Sequence, residues 1–154
     1  MPKTKDEVLC FVKCQNKVLL INRNKAPFMG MWNAIGGHVE EGEEPIDASI
    51  RETKEEGEII ATNATLFSVF TWNYDDSVGY AYLIELPACF DLSEYPKRID
   101  EGLVEFKDID WILDDRNYGV VPDLRIFLKD IKEGNKQNYH LVYENEKLKE
   151  VIKK

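Results

Sequence analysis

"GGHVEEGEEPIDASIRETKEEGEI", residues 36–59, crowds acidic side chains around two fixed cations, Arg51 and Lys54. Glu52, Glu55 and Glu56 stand at i, i+3 and i+4, where like charges one turn apart weaken a helix. The segment is nonetheless written as one. Pro45 suits a first helical position and Glu44 an N-cap, so the pattern predicts a helix over 45–57. On a wheel of about 100° per residue, Glu56 falls about 40° from Glu52, and Glu55 about 60° to its other side. Ile46, Ile50, Thr53 and Gly57 gather roughly opposite, on the face expected to pack against a sheet. Small Ala48 leaves space beside the acids. A plain solvated surface is one reading of this face, but such surfaces usually mix signs. Acids grouped behind a glycine turn point to a bound cation, and oxygen-only ligands suit Mg²⁺ or Mn²⁺.

Working outward, "EVLCFVK" and "KVLLINR" flank a short turn and predict a hairpin. "NKAPFMGMWN" is a loop, and "WNAIGGHVEEGE" combines a short strand with glycine turns. Two apolar runs, "IIATNATLFSVFTWNY" and "SVGYAYLIELPACF", predict long antiparallel strands. "LVEFKDIDWIL" predicts a strand or turn leading into a small helical element. "VVPDLRIFLKDIKEG" reads as a second helix starting near Pro122, and the tail as a last hairpin turning at Glu144 to Glu146. Strands interrupted by two helices make an α/β or α+β fold with a mixed sheet.

The 154 residues suit one domain over residues 1–154. A hydrophobic fraction of 44% with 11% aromatics is that of a folded chain. A net charge of −9 opposes a broad grip on polynucleotide, but not on a small anion held through a cation. Cys10, Cys14 and Cys89 form no CxxC pair, which argues against structural zinc. With no secretory signal, they predict a reducing cytoplasm, with Cys10 and Cys14 as small buried hydrophobes. No apolar run reaches the roughly 18 residues of a membrane span.

Gly37, then Glu43 after five residues, Arg51-Glu52 after seven more, and Glu55-Glu56 after a further two resemble the signature of the Nudix hydrolase family. The family prefers an aliphatic residue at Thr53 and a glycine at Glu58, whereas here the glycine comes one position early, at Gly57. The resemblance implies a Nudix-type α/β/α sandwich around a mixed β-sheet. It also implies hydrolysis of a nucleoside diphosphate linked to another group. Glu52, Glu55, Glu56 and the Gly36 carbonyl would hold Mg²⁺ or Mn²⁺, joined by Glu101. Glu52 and Glu55 would be catalytic, Glu52 as candidate base. Gly37, Glu43 and Arg51 would shape the motif, the last two as an ion pair. His38 stands where many relatives carry Lys or Arg.

The region from Val18 to Glu43 resembles MutT-type and oxidised-purine triphosphatases, in which a Trp-Asn pair precedes the glycines. Asn33 would then read a purine edge, the alternative being a turn hydrogen bond. Asp123, after Pro122, would approach the same base, or else cap the second helix. Arg23 would reach phosphate or remain a strand-end charge. Phe28, Trp32 and Trp72 would wall an aromatic pocket or pack internally. The expected activity is Mg²⁺-dependent cleavage of a nucleoside triphosphate, with 8-oxo-dGTP or a related purine as candidate, to monophosphate and pyrophosphate. The partner would be a small nucleotide, with neither polynucleotide nor membrane. Competing readings keep the metal site for an ADP-sugar, a dinucleotide or an RNA 5′ end, or make the domain a silent nucleotide sensor.

Overall fold

The computed structural model describes residues 5–154. Strands β1 (Glu7–Cys14) and β2 (Lys17–Arg23) turn at Gln15-Asn16 and pair through Cys14–Lys17 and Lys13–Val18. The expected hairpin holds only at that turn. Beyond it β3 (Trp32–His38) enters between the arms, pairing Ala34 with Leu20 on one side and Gly36 with Leu9 on the other. Gly36 and Gly37 therefore lie within a strand, not in the turn expected from their pairing in sequence. A side chain at Gly36 would collide with the Val8 carbonyl, and one at Gly37 with the Glu52 carboxylate. The glycines serve close approach.

Helix α1 (Pro45–Gly57) has the expected bounds, with proline in its first turn, but Glu44 makes no side-chain capping bond. Its packing face differs from the wheel. Ala48, Ser49, Thr53, Glu56 and Gly57 are buried, whereas Ile46 is 39% exposed and Ile50 only partly covered. Small residues bring the helix close to the sheet: a Cβ on Gly57 would lie 2.9 Å from Leu19 Cδ2. That approach pushes the isoleucines to the rim.

The chain continues through β4 (Thr65–Trp72), β5 (Val78–Glu85), β6 (Lys97–Ile99) and β7 (Gly102–Asp108). Helices α2 (Ile109–Leu113) and α3 (Leu124–Glu133) follow, then the hairpin β8 (Tyr139–Glu144) and β9 (Lys147–Lys153). The second helix begins at Leu124, two residues past the proline. The nine strands run in the order β6-β7-β2-β3-β1-β5-β4-β8-β9. β1–β5 and β4–β8 are parallel and the other pairings antiparallel, so the sheet is mixed as expected.

Strand alternation divides the core between two faces. From β1, Val8, Cys10, Val12 and Cys14 join Leu19, Ile35 and Ala48 beneath α1. Phe11, on the opposite face, joins Ile109 and Ile112 of α2 and Leu124, Phe127 and Leu128 of α3. Phe127 anchors that layer, its ring 4.8 Å from Phe70 and 5.8 Å from Phe11. One helix on one face and two on the other complete the α/β/α arrangement. No helix among the described residues is long and apolar enough to cross a membrane.

Candidate functional site

The close contact of β3 and α1 sets the acids. Glu56 is 7% exposed, and its Oε1 accepts the Gly36 N–H at 2.8 Å. Burial pushes its carboxyl up to about 7; the Gly36 N–H opposes this, while the charges of Glu52 and Glu101 add to it. Glu52 is likewise raised, first by burial, against the pull of Arg51. Its side chain is 12% exposed, whereas that of Glu55 is 58% exposed.

Arg51 organises the rest. Its Nε donates to Glu43 Oε2 at 2.9 Å and its Nη2 to Glu43 Oε1 at 3.0 Å, a two-pronged grip. Nη2 also donates to the His38 carbonyl at 2.9 Å, while Nη1 reaches Glu52 at 2.8 Å and Glu55 at 3.3 Å. The pairing holds Glu43 below the usual carboxylate range. Arg51 thus ties the β3 end, the 40–44 turn and α1 together.

Glu52, Glu55, Glu56 and Glu101 line one cleft of about 450 Å³, together with Glu58, Arg98 and Asp100. Among the described residues, no three acidic, histidine or cysteine side chains converge as a ready-made cage. Arg51 holds Glu52 and Glu55, and Gly36 holds Glu56. The donor set still fits a hard divalent cation: it is all oxygen, it lines one cleft, and a bound cation would favour the charged forms of Glu52 and Glu56 that burial disfavours.

A second cavity, of about 510 Å³, shares Glu56 with the first. Gly36 and Glu56 lie in its wall, so Glu56 borders both spaces. Asn33, Asp123, Arg23, Phe28 and Trp72 also line it. Its volume suits a small ligand. Asn33 Oδ1 accepts the Ala34 N–H at 2.8 Å, the local bond left as an alternative, yet the oxygen has a second lone pair. Trp32 does not line the cavity. It packs against the α2–α3 core with Lys107 Nζ 4.8 Å above its ring. Its backbone bonds to Gly119 and Val121, at 2.7 and 2.9 Å, bring the start of α3 beside Asn33.

Asp123 is 6% exposed and makes no side-chain cap, so the capping alternative is not realised. Burial pushes its carboxyl up to about 6, against the nearby Tyr143 hydroxyl. That hydroxyl is itself buried without a hydrogen bond within 3.5 Å. Arg23 Nε donates to the Pro27 carbonyl at 3.0 Å, so the guanidinium pins the loop while edging the cavity.

Sequence reasoning missed Glu7, Tyr74, Tyr143, Asn145 and Glu146, all in this cavity wall. No spacing could have found the last three, because the parallel β4–β8 pairing delivers them.

The family model described as NUDIX domain matches residues 3–122. An uncharacterised Nudix hydrolase, YvcI, of Bacillus subtilis is 40% identical over 67 residues, 44% of this chain and 40% of that protein. An ADP-ribose pyrophosphatase of Methanocaldococcus jannaschii is 37% identical over 73 residues, 47% of this chain and 43% of that protein. The matched stretch thus spans about two fifths of the length of each relative. The crystal structure of a MutT protein from Bacillus halodurans superposes with a TM-score of 0.77 at 20% identity, over 97% of both chains, a likeness of fold.

Proposed function

The chain belongs to the NUDIX domain family, and from that premise we propose that it is a divalent-metal-dependent pyrophosphohydrolase of a purine nucleoside triphosphate. The products are a monophosphate and pyrophosphate, with an oxidised purine such as 8-oxo-dGTP as candidate substrate. One observation carries this reading. Glu56 borders both the acid cleft and the cavity of Asn33 and Asp123, so a base in the cavity leaves its phosphates at the acids.

Glu52, Glu55, Glu56 and Glu101, with the Gly36 carbonyl, would hold the cation. When bound, it neutralises pyrophosphate oxygens. Arg51 occupies Glu52 Oε1, and the raised Glu52 carboxyl suits a base that takes the proton of an attacking water. Glu43 keeps Arg51 in place and does not touch substrate. Asn33 offers a donor and an acceptor to a purine edge, and Asp123 an acceptor from beside it.

The ADP-ribose pyrophosphatase named among the relatives supports a second reading, a nucleoside diphosphate sugar in the same cavity. A panel of nucleotides at low concentration, ranked by kcat/KM with products identified, decides between them. Omitting the divalent cation tells an enzyme from a nucleotide sensor. Within the panel, Asn33→Ala should lower kcat/KM for the best purine triphosphate at least tenfold, since an unpaired buried base edge costs about 1–3 kcal/mol per contact. A poor pyrimidine substrate should change little. Equal losses on both would make Asn33 a loop residue and remove the purine preference.

A further inference from the structure

The family match ends at residue 122, but the cavity does not. Tyr143, Asn145 and Glu146, from the β8–β9 hairpin, close a wall facing Pro27 and Phe28 of the loop between β2 and β3. Two contacts join these elements across the mouth. Glu146 Oε1 accepts the Phe28 N–H at 2.8 Å, over a sequence separation of 118 residues. The Phe28 and Tyr143 rings meet edge to face with centroids 6.3 Å apart. Arg23 braces the loop from below through the Pro27 carbonyl at 3.0 Å.

The bond to Phe28 is a charge-assisted one between elements remote in sequence. It spends a charged acceptor on one backbone N–H, at a residue whose φ of +60° a bulky side chain rarely adopts. Asn145 at φ +51° and Glu146 at φ +64° form the two-residue turn between β8 and β9, whose geometry takes positive φ at both positions, and this turn carries the carboxylate. Held this way, the Phe28 ring forms an aromatic wall with Tyr143 and Trp72 around the space that Asn33 and Asp123 edge. An aromatic wall gives a stacking surface, worth about 1–3 kcal/mol per base in other proteins.

We propose that Glu146 is a positioning residue for the ligand in this cavity: its carboxylate latches the Phe28 backbone so that the ring is held against the nucleobase. This rests on the reading of the cavity as a base pocket, and it places base selection partly outside the matched family region. Glu146 acts through Phe28 and takes no part in the chemistry at the acids.

Glu146→Ala and Glu146→Gln separate the latch from a merely structural turn. Both variants bear the same backbone strain, and only Gln keeps an oxygen for the Phe28 N–H. Glu146→Ala should raise KM for the best compound of the nucleotide panel about three- to tenfold, with kcat within about twofold. Glu146→Gln should restore KM to within about twofold of the parent. Amide exchange over residues 26–30, measured without ligand, should quicken in Glu146→Ala alone. Unchanged exchange in Glu146→Ala overturns the latch. Quickened exchange with an unchanged KM overturns the positioning role. Because the comparison uses whichever compound the protein turns over best, a preference for a nucleoside diphosphate sugar overturns the purine triphosphate reading while still testing Glu146. A KM raised equally in both variants overturns the role of the oxygen.

Discussion

Asp123 carries a cost that the proposed base contact would explain. Its carboxyl titrates near 6 in the fold because burial disfavours the charge, against about 3.9 in an unfolded chain. Below about pH 4 both states are protonated and no penalty arises. As pH rises towards 6 the folded state keeps its proton longer, so stability falls, and above about 6 the penalty is complete. Asp123→Asn cannot ionise. Its stability relative to the parent should therefore climb between pH 4 and pH 8, by about 3 kcal/mol, and its melting temperature with it. Thermal melts across that range check this, and a constant gap would mean that Asp123 is solvated. If the proposed base contact holds, the same variant should also discriminate less between nucleotides of the panel, since stability gained at a binding site commonly costs function.

At the scale of the element, the end of α1 shows what a glycine at position 58 would supply. The C-cap Glu58 adopts φ +56°, the left-handed conformation that glycine takes without strain. Gly57 answers a different need, because it lies against Leu19 and Ile35, where a side chain does not fit. Glu58→Gly should stabilise the protein by about 0.5–1 kcal/mol. The lost ion pair with Lys97, 3.6 Å away with Glu58 half exposed, offsets little. Denaturant unfolding measures the gain, and a loss would show that the Glu58 contacts outweigh its backbone strain. This helix was the most legible part of the sequence, from its proline to its acidic face. What periodicity misjudged was its packing. Ile46 and Ile50 ought to be core by hydrophobicity, but Ala48, Ser49 and Gly57 bring the backbones too close for large side chains.

At the scale of the whole molecule, local signals gave the strands, the acids and one edge of the cavity, and topology gave the rest. Gly36 and Gly37 read as a turn because nothing local reveals that β3 enters between β1 and β2. Glu146 reads as a hairpin tip because its partner Phe28 is remote in sequence. Glu56 lines both cavities, so a measurement on Glu56 variants is informative about the acids. The chain carries a net charge of −9, and six carboxylates against one arginine line one cleft, so folding pushes like charges together. Glu56→Gln keeps an acceptor for the Gly36 N–H while removing one of those charges. Without divalent cation, the variant should melt above the parent. Mg²⁺ at ten times its Kd should stabilise the parent by about 1.4 kcal/mol, or about 3–5 °C, beyond sodium chloride of equal ionic strength. The variant has lost a candidate ligand, so its shift should be smaller and the order of melting should narrow or reverse. Equal Mg²⁺ shifts in both proteins would remove Glu56 from the cation site, whereas a shift matched by sodium chloride would reduce the acids to a screened surface.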